Sequence, residues 1–248
     1  RKHKAERMPS RRTLIYSIFI FWVTGFCHFS SVAQQAKSED KSSGDACKKW
    51  VDSVYSVLTP PERIAQLLMI RVGSVTDSAE IRKVADWVKD YNLGGICFFK
   101  GGPVRQAILT NYYQSLARTP ILISMDADWG LGMRLDSTLS FARQMTLGAM
   151  PDESLIEKYG FEIARQLKRI GVRVSFSPVA DINSNPSNPV INVRSFGEDK
   201  KDVARKSLLY MKGLQRGGVL SVAKHFPGHG DTDTDSHLEL ARVSGSAD

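Results

Sequence analysis

Cysteine is scarce in this sequence, and a glycine loop for binding nucleotide phosphates is missing. Only 3 of the 248 residues are cysteine, and their spacing matches neither a zinc site nor a redox motif. Cys97 lies in an apolar run, which predicts a buried structural thiol. No G-x-G-x-x-G segment is present, so the sequence gives no support for a dinucleotide-binding fold. We expect no cofactor.

An excess of positive charge is also missing once the first residues are set aside. The formal net charge is +8, but residues 1–33 hold six Lys or Arg and one Glu, so they contribute +5 and the remainder only +3. No basic stripe with interleaved aromatic residues is present. This balance gives no support for a nucleic-acid-binding function. The hydrophobic content of 42% and the charged content of 24% are typical of a soluble globular protein.

Residues 1–33 have the pattern of an export signal. Two arginines precede an apolar run over 14–26, and residues 31–33 form a small-x-small cleavage site. The apolar run is too short for a comfortable membrane span. We predict an exported protein, with cleavage after the small residues. A lipid anchor at Cys27 or a retained membrane anchor is the alternative.

The central part of the chain alternates helical patterns with short apolar runs. Residues 59–62 form a helix start with a Thr N-cap, two prolines and a closing Glu, and residues 77–80 repeat this capping logic. Apolar residues at helical spacing cover 155–170. Helices that alternate with strands apolar on both faces favour a parallel sheet covered by helices. The predicted strands are 67–72, 96–99, 121–125, 172–176 and 219–223.

Polar or glycine-rich clusters follow the strands, at 100–102, 126–134, 181–194 and 224–237. Chemistry at the carboxyl ends of successive parallel strands is the layout of a barrel mouth. We therefore predict an α/β fold of the TIM-type (β/α)8 barrel, with about the first five βα units present. An open doubly wound sheet is the competing fold. The predicted organisation is a signal at 1–33, a linker and lead-in at 34–57, and a partial barrel domain at 58–248.

The densest cluster, residues 224–237, contains three of the five histidines of the chain, three acidic side chains and a lysine. It follows directly on the apolar run 219–223. Pro227 and the glycines on either side of His229 favour a tight loop rather than a helix. A loop rich in titratable groups at the end of a buried strand predicts an active site.

The histidines and acids of this loop could instead bind a metal, since imidazole and carboxylate are common ligands. The candidate ligands are His225, His229, Asp231 and His237. The spacing of the first two mimics a helical zinc pair, but Pro227 and the adjacent glycines exclude a helix there. The run 231–235 opens like a calcium loop but has Ser236 and Arg242 where glycine and glutamate belong. We therefore expect no metal.

Two of these polar residues also allow structural interpretations. His225 follows a strand and could be a hydrogen-bonded core histidine, and Arg194 could pair with Asp181 or Glu198. Trp129 lies inside the cluster at 126–134 and is a candidate for lining a sugar platform.

Four segments together resemble glycoside hydrolase family 3, and within it the bacterial β-N-acetylhexosaminidase branch. They are residues 126–134, 177–181, 192–197 and 224–237, the last with its Lys-His-Phe-Pro-Gly-His-Gly and Asp-Ser-His motifs. The resemblance implies a TIM-type barrel and retaining hydrolysis of terminal β-N-acetylglucosaminides, commonly cell-wall muropeptides. It also implies a bacterial protein of the periplasm or cell envelope, or a secreted one. A phosphorylase that uses the same residues is a close variant.

The resemblance carries roles over to seven residues. His237 would be the acid/base and Asp235 its partner. The sugar hydroxyls would be held by Asp126, Arg134, Arg194, Lys224 and His225. The second acidic position of the family motif is Asp128 here, a shorter carboxylate, so no role is carried over to it. The family's nucleophile is an aspartate farther downstream. We therefore expect a truncated chain that is inactive without the missing C-terminal half of the barrel.

The chemistry of these residue types is compatible with that resemblance. Retaining glycosidases need a nucleophile and an acid/base on either side of the scissile bond. Histidine has an ordinary pKa near 6.5, which suits proton transfer at neutral pH, and an adjacent carboxylate orients its ring. Arg and Lys donate hydrogen bonds to sugar hydroxyls, and Asp126 can accept from two of them. A sugar-binding module without catalysis is the rival from a different class.

Overall fold

The computed structural model of the chain describes residues 44–74 and 77–242. The predicted export signal at 1–33 and the alternative anchor at Cys27 lie outside the described residues. Both therefore stay predictions. Within the described ranges, no helix combines the length and the apolar character needed to cross a membrane.

The described residues fall into two units, one within 1–58 and the other within 59–248. In the first unit the described residues form one helix, α1, over 44–57. The second unit contains every predicted site residue.

The second unit is built on one parallel sheet of five strands, which lie side by side in chain order. In a doubly wound sheet the strand order reverses at a switch point, whereas here each strand pairs with the next along the chain. This order confirms the predicted barrel-type α/β fold. Among the described residues, each of the first four strands is followed by a helix and the fifth by a loop. The strands are β1 (Met69–Gly73), β2 (Gly95–Phe99), β3 (Leu122–Met125), β4 (Val174–Ser175) and β5 (Leu220–Ser221).

Helices connect the strands and cover one face of the sheet. They are α2 (Pro60–Ala65), α3 (Ser78–Tyr91), α4 (Pro103–Leu116), α5 (Gln144–Gly148), α6 (Ser154–Arg169) and α7 (Lys200–Arg216), with short 3-10 helices at Leu131–Met133 and Asn192–Arg194. Two helix starts follow the predicted capping logic. The Glu62 carboxylate accepts from the backbone N–H (2.8 Å) and hydroxyl (2.7 Å) of Thr59, and the Asp77 carboxylate accepts from the backbone N–H of Glu80 (2.9 Å).

The two faces of the sheet differ in burial because side chains alternate along a strand. Val72, Phe98 and Met125 point to the helices and are buried in the core. On the opposite face, which is the lumen in a closed barrel, Leu122 is 46% and Leu220 is 60% exposed. The prediction that the strand at 219–223 is buried is therefore wrong for this face. Among the described strands β5 pairs with β4 alone, and its lumen face stays open to solvent.

Helix α7 supports the loop that follows β3. It packs closely on α6 at two glycines: a Cβ on Gly160 would lie 2.4 Å from the carbonyl oxygen of Tyr210, and one on Gly213 would lie 2.2 Å from that of Glu157. The fully buried Tyr210 donates its hydroxyl to the carbonyl oxygens of Ala127 (3.2 Å) and Asp128 (3.3 Å). Burial raises the pKa of this hydroxyl well above its usual value, so it stays a donor. Tyr210 of α7 thus fixes the backbone of the loop after β3.

Candidate active site

Asp126 directly follows β3 and binds two cations. Lys224 Nζ donates to Asp126 Oδ1 at 2.8 Å, and Arg134 Nη2 donates to Oδ2 at 2.5 Å. Burial by itself raises the pKa of Asp126, but the charges and hydrogen bonds of Lys224 and Arg134 outweigh burial and lower it. The carboxylate is therefore ionised at neutral pH.

Asp128, two residues farther along, is fully buried and binds two cations as well. Its Oδ2 accepts from Arg194 Nε (3.1 Å) and Nη2 (3.0 Å), while its Oδ1 lies 3.0 Å from Lys224 Nζ. Lys224 therefore bridges Asp126 and Asp128. Because a buried charge needs a partner, this pairing fixes the positions of both cations. The predicted structural partners of Arg194, Asp181 and Glu198, are wrong.

The loop after β5 begins with backbone contacts to the loop after β4. Lys224 donates its N–H to Pro178 O (3.1 Å), and Ala180 donates its N–H to Lys224 O (2.6 Å). Asp181 then follows with a fully buried carboxylate. Its Oδ2 accepts from the backbone N–H of His225 (3.1 Å) and lies 2.6 Å from His225 Nδ1. His225 is not a core histidine, because its side chain is 35% exposed and lines the cavity described below.

His229 is buried and links two parts of the same loop. Its Nδ1 lies 2.7 Å from the hydroxyl of Thr232, and its Nε2 lies 2.8 Å from the hydroxyl of Ser236. The side-chain amide of Asn188, from the loop after β4, donates to the carbonyl oxygens of His229 (2.6 Å) and Thr232 (2.8 Å). These contacts hold the segment that carries Asp235 and His237.

Asp235 and His237 form a hydrogen-bonded pair on the surface. His237 Nδ1 lies 2.7 Å from Asp235 Oδ1, and the same oxygen accepts from the backbone N–H of His237 at 2.9 Å. These two hydrogen bonds, first the backbone one, lower the pKa of Asp235. The side chain of His237 is 76% exposed and that of Asp235 is 33% exposed.

One cavity of about 590 Å³ brings most of the predicted site together, a volume within the range of roughly 300–1,000 Å³ typical of small-molecule sites. Its walls include Phe99 and Trp129, and the Arg134 guanidinium lies 4.3 Å from the centroid of the Phe99 ring. Cys97, confirmed as buried, also lines it. Six of the seven predicted site residues line it: Asp126, Arg134, Arg194, Lys224, His225 and His237. Asp235 does not line the cavity but contacts His237, which does.

The alternative metal cluster does not form among the described residues. No group of three or more His, Cys, Asp or Glu side chains is placed there as metal ligands. Both ring nitrogens of His229 already lie next to hydroxyl oxygens, and His225 Nδ1 lies next to Asp181.

Sequence reasoning missed three residues that build the site: Asp128, Asp181 and Asn188. The spacing of Asp126 and Asp128 could have indicated that both belong to the site. In extended backbone the side chains of residues i and i+2 point to the same side. No comparable local signal marks Asn188, which contacts residues 41 and 44 positions away.

The fold and the cavity define an α/β-barrel protein with a cavity lined by charged and polar side chains, and comparison with known proteins gives the family. Residues 59–248 match the model described as the glycosyl hydrolase family 3 N terminal domain, and the chain belongs to this family. It is 38% identical over 179 residues to β-hexosaminidase A of Pseudoalteromonas piscicida, covering 67% of this chain and 30% of that protein.

Two solved structures are also similar. The glycoside hydrolase family 3 β-N-acetylglucosaminidase from Paenibacillus sp. str. FPU-7 has 35% identity and a TM-score of 0.68, covering 75% of this chain and 36% of that chain. The β-glucoside phosphorylase BglX bound to 2FGlc has 28% identity and a TM-score of 0.70, covering 76% and 34%. The chain thus spans about a third of the length of each of these three relatives.

Proposed function

We propose that this chain supplies the sugar-binding and acid/base parts of a retaining β-N-acetylglucosaminidase. One observation carries the proposal. Asp126, Arg134, Arg194 and Lys224, which together with Asp128 form the Asp126 network, line the same cavity as His237. Membership of the family and the similarity to β-hexosaminidases support the reaction class.

The buried half of the cavity is formed by Asp126, Arg134, Arg194 and Lys224. These side chains can form hydrogen bonds with the hydroxyls of a terminal sugar. The ionised Asp126 carboxylate accepts hydrogen bonds, while Arg134, Arg194 and Lys224 only donate them. Because these groups are already paired with one another, they are held in place before a ligand binds. Preorganised groups lose less conformational entropy on binding.

His237 is proposed as the acid/base. The Asp235 carboxylate next to Nδ1 favours the tautomer with hydrogen on Nδ1, and in the imidazolium form Nε2 carries the transferable proton. In the first step Nε2–H would protonate the glycosidic oxygen as that bond breaks and a nucleophilic carboxylate attacks the anomeric carbon. In the second step the neutral ring would take a proton from the water that releases the sugar.

Phosphorolysis is the second candidate. Three cations, Arg134, Arg194 and Lys224, face two carboxylates in the network, so the site has an excess of positive charge that would suit a phosphate anion. The similarity to a β-glucoside phosphorylase also favours this reading.

One assay separates these activities. The protein at its full natural length is given an aryl β-N-acetylglucosaminide, with and without inorganic phosphate, and the product is identified. Free N-acetylglucosamine in both conditions supports hydrolysis, and a sugar phosphate that forms only with phosphate supports phosphorolysis. Binding without turnover would overturn both in favour of a sugar-binding module. Loss of activity with chelator and its return with zinc would point to a metal enzyme instead.

We also infer that a polypeptide limited to residues 34–248 does not turn over substrate and is not a stable monomer. Among the residues that the structure describes, the parallel sheet has two edges, β1 and β5, and edge strands expose unpaired backbone groups. The exposed Leu122, Leu220 and Val222 add apolar area to the lumen face. Sedimentation, near-UV circular dichroism and hydrolysis measured on this polypeptide test the inference. A monodisperse, cooperatively folded monomer that hydrolyses substrate would contradict it.

A further inference from the structure

Asp181 is a fully buried carboxylate that contacts the loop after β5 at three points. Its Oδ2 lies 2.6 Å from His225 Nδ1 and accepts from the backbone N–H of His225 at 3.1 Å. Its Oδ1 accepts from the backbone N–H of His229 at 2.7 Å. Asp181 does not line the cavity that holds the Asp126 network, so it acts on that cavity only through the residues it contacts.

The contact with Nδ1 decides which nitrogen of His225 carries the proton. An ionised carboxylate only accepts hydrogen bonds, so a neutral His225 ring places its hydrogen on Nδ1. The other nitrogen, Nε2, then has a lone pair. Since His225 lines the cavity and Nε2 has no hydrogen-bond partner among the described residues, this lone pair is available to a ligand.

We propose that Asp181 is a positioning residue that fixes His225 as the tautomer with hydrogen on Nδ1, so that Nε2 accepts a hydrogen bond from a sugar hydroxyl. The proposal rests on the proposed function for the identity of the ligand. Asp126 and His225 are then two acceptors beside the three cationic donors Arg134, Arg194 and Lys224. A ligand with several hydroxyls needs both kinds of partner.

The same carboxylate supports the acid/base segment through His229. Asp181 binds the backbone of His229, and the ring of His229 contacts Ser236, which lies between Asp235 and His237 in the chain. Loss of the carboxylate therefore affects sugar binding directly and the acid/base segment indirectly.

The test is Asp181→Asn in the protein at its full natural length, labelled with 15N-histidine. The amide keeps the size of the side chain, but its NH₂ group cannot accept a hydrogen bond, so one of the two oxygens that serve the three donors is lost. In the unsubstituted protein we expect the His225 resonance to show hydrogen on Nδ1, with His225→Gln identifying the signal. In Asp181→Asn we expect a mixture of tautomers. KM for the aryl glycoside should rise about 10–100-fold, the range for loss of a charge-assisted hydrogen bond.

Ser195→Ala is the matched control. Ser195 donates its hydroxyl to the backbone carbonyl of Asp181 at 2.6 Å, so this substitution disturbs the same loop and leaves the carboxylate in place. It should lower thermal stability and leave the His225 tautomer unchanged. A tautomer shift of equal size in Ser195→Ala would overturn the proposal in favour of loop packing.

Two further outcomes decide the matter. Hydrogen on Nε2 of His225 in the unsubstituted protein would overturn the proposal, and this measurement does not depend on the variant folding. A tautomer shift in Asp181→Asn of a protein that lacks glycosidase and phosphorylase activity would support the positioning role and reject the proposed function.

Discussion

The two halves of the candidate active site are held in opposite ways. In the buried half, Asp126, Asp128, Arg194 and Lys224 each have a charged partner within 3.1 Å, on elements far apart in the chain. In the exposed half, His237 and Asp235 are paired with each other, two residues apart, and His237 is 76% exposed. Fixed groups suit recognition of a sugar ring. The proposed acid/base pair instead depends on its loop for its orientation toward a bound sugar.

Because of this contrast, we expect substitutions in the two halves to have different effects. Substitution in the buried half should change folding stability and binding together, because the same contacts serve both. Substitution of the exposed pair should change the chemical step and leave the fold intact. The three predictions below test that separation.

The largest effect is expected for His237→Ala. Without the proton donor, substrates with poor leaving groups should react roughly 10²–10⁴-fold more slowly. Activated aryl glycosides need little protonation and should lose far less. The measurement is kcat/KM for both kinds of substrate, together with the thermal unfolding midpoint, which should not move.

His229→Ala is the control for this experiment, because His229 contacts the same segment through Ser236. Its loss should be milder and equal for both substrate kinds. If His237→Ala itself slows both substrate kinds equally, His237 has a structural role.

An intermediate effect is expected for Asp128→Asn, which leaves Arg194 and Lys224 with one buried carboxylate fewer. Removal of one partner of a buried ion pair typically costs about 3–5 kcal/mol. Urea unfolding should show this as a lower free energy of unfolding. Binding of the sugar should weaken as well, since both cations line the cavity.

Glu162→Gln is the comparison for that substitution. Glu162 pairs with Arg165 on the exposed face of α6, where an ion pair contributes about 0–1 kcal/mol. Equal destabilisation by Glu162→Gln and Asp128→Asn would contradict the special role of the buried network.

The smallest effect is expected for the pH dependence of Asp126. Its pKa is lowered in the folded protein, so it stabilises the fold above the unfolded-state pKa of about 3.9 and loses this contribution as the pH falls through the folded-state pKa. The difference in unfolding free energy between the unsubstituted protein and Asp126→Asn should stay constant from neutral pH to about pH 5 and shrink below about pH 4. A difference that already shrinks well above pH 5 would mean that the pKa of Asp126 is raised, not lowered.

Local patterns in the sequence predicted the fold well. The capping residues around Glu62 and Asp77 depend on neighbours a few positions away. Parallel strands with polar residues at their ends then favour a barrel, and the observed strand order confirms this. The exposure of Leu220 was not predictable in the same way, because it depends on which elements lie beside β5.

The pairing inside the site was less predictable. Asp128 and Arg194 are 66 positions apart, and their contact follows from the relative placement of the loops after β3 and β4. Sequence proximity instead suggested Asp181 as the partner of Arg194, but that carboxylate faces the loop after β5. A sequence pattern can thus predict which residues lie at one end of a barrel, but it does not predict which of them pair.

The order of the strands has a consequence for synthesis on the ribosome. Asp126 and Lys224 are 98 positions apart, and translation proceeds at about 5–20 residues per second. The carboxylates after β3 therefore leave the ribosome roughly 5–20 s before their lysine. During this interval their partners are water, Arg134 and, once residue 194 has been made, Arg194, so the buried network cannot be completed until β5 has been made. A translational pause just before β5 would lengthen the lifetime of a nascent chain in which Asp126 and Asp128 still lack Lys224.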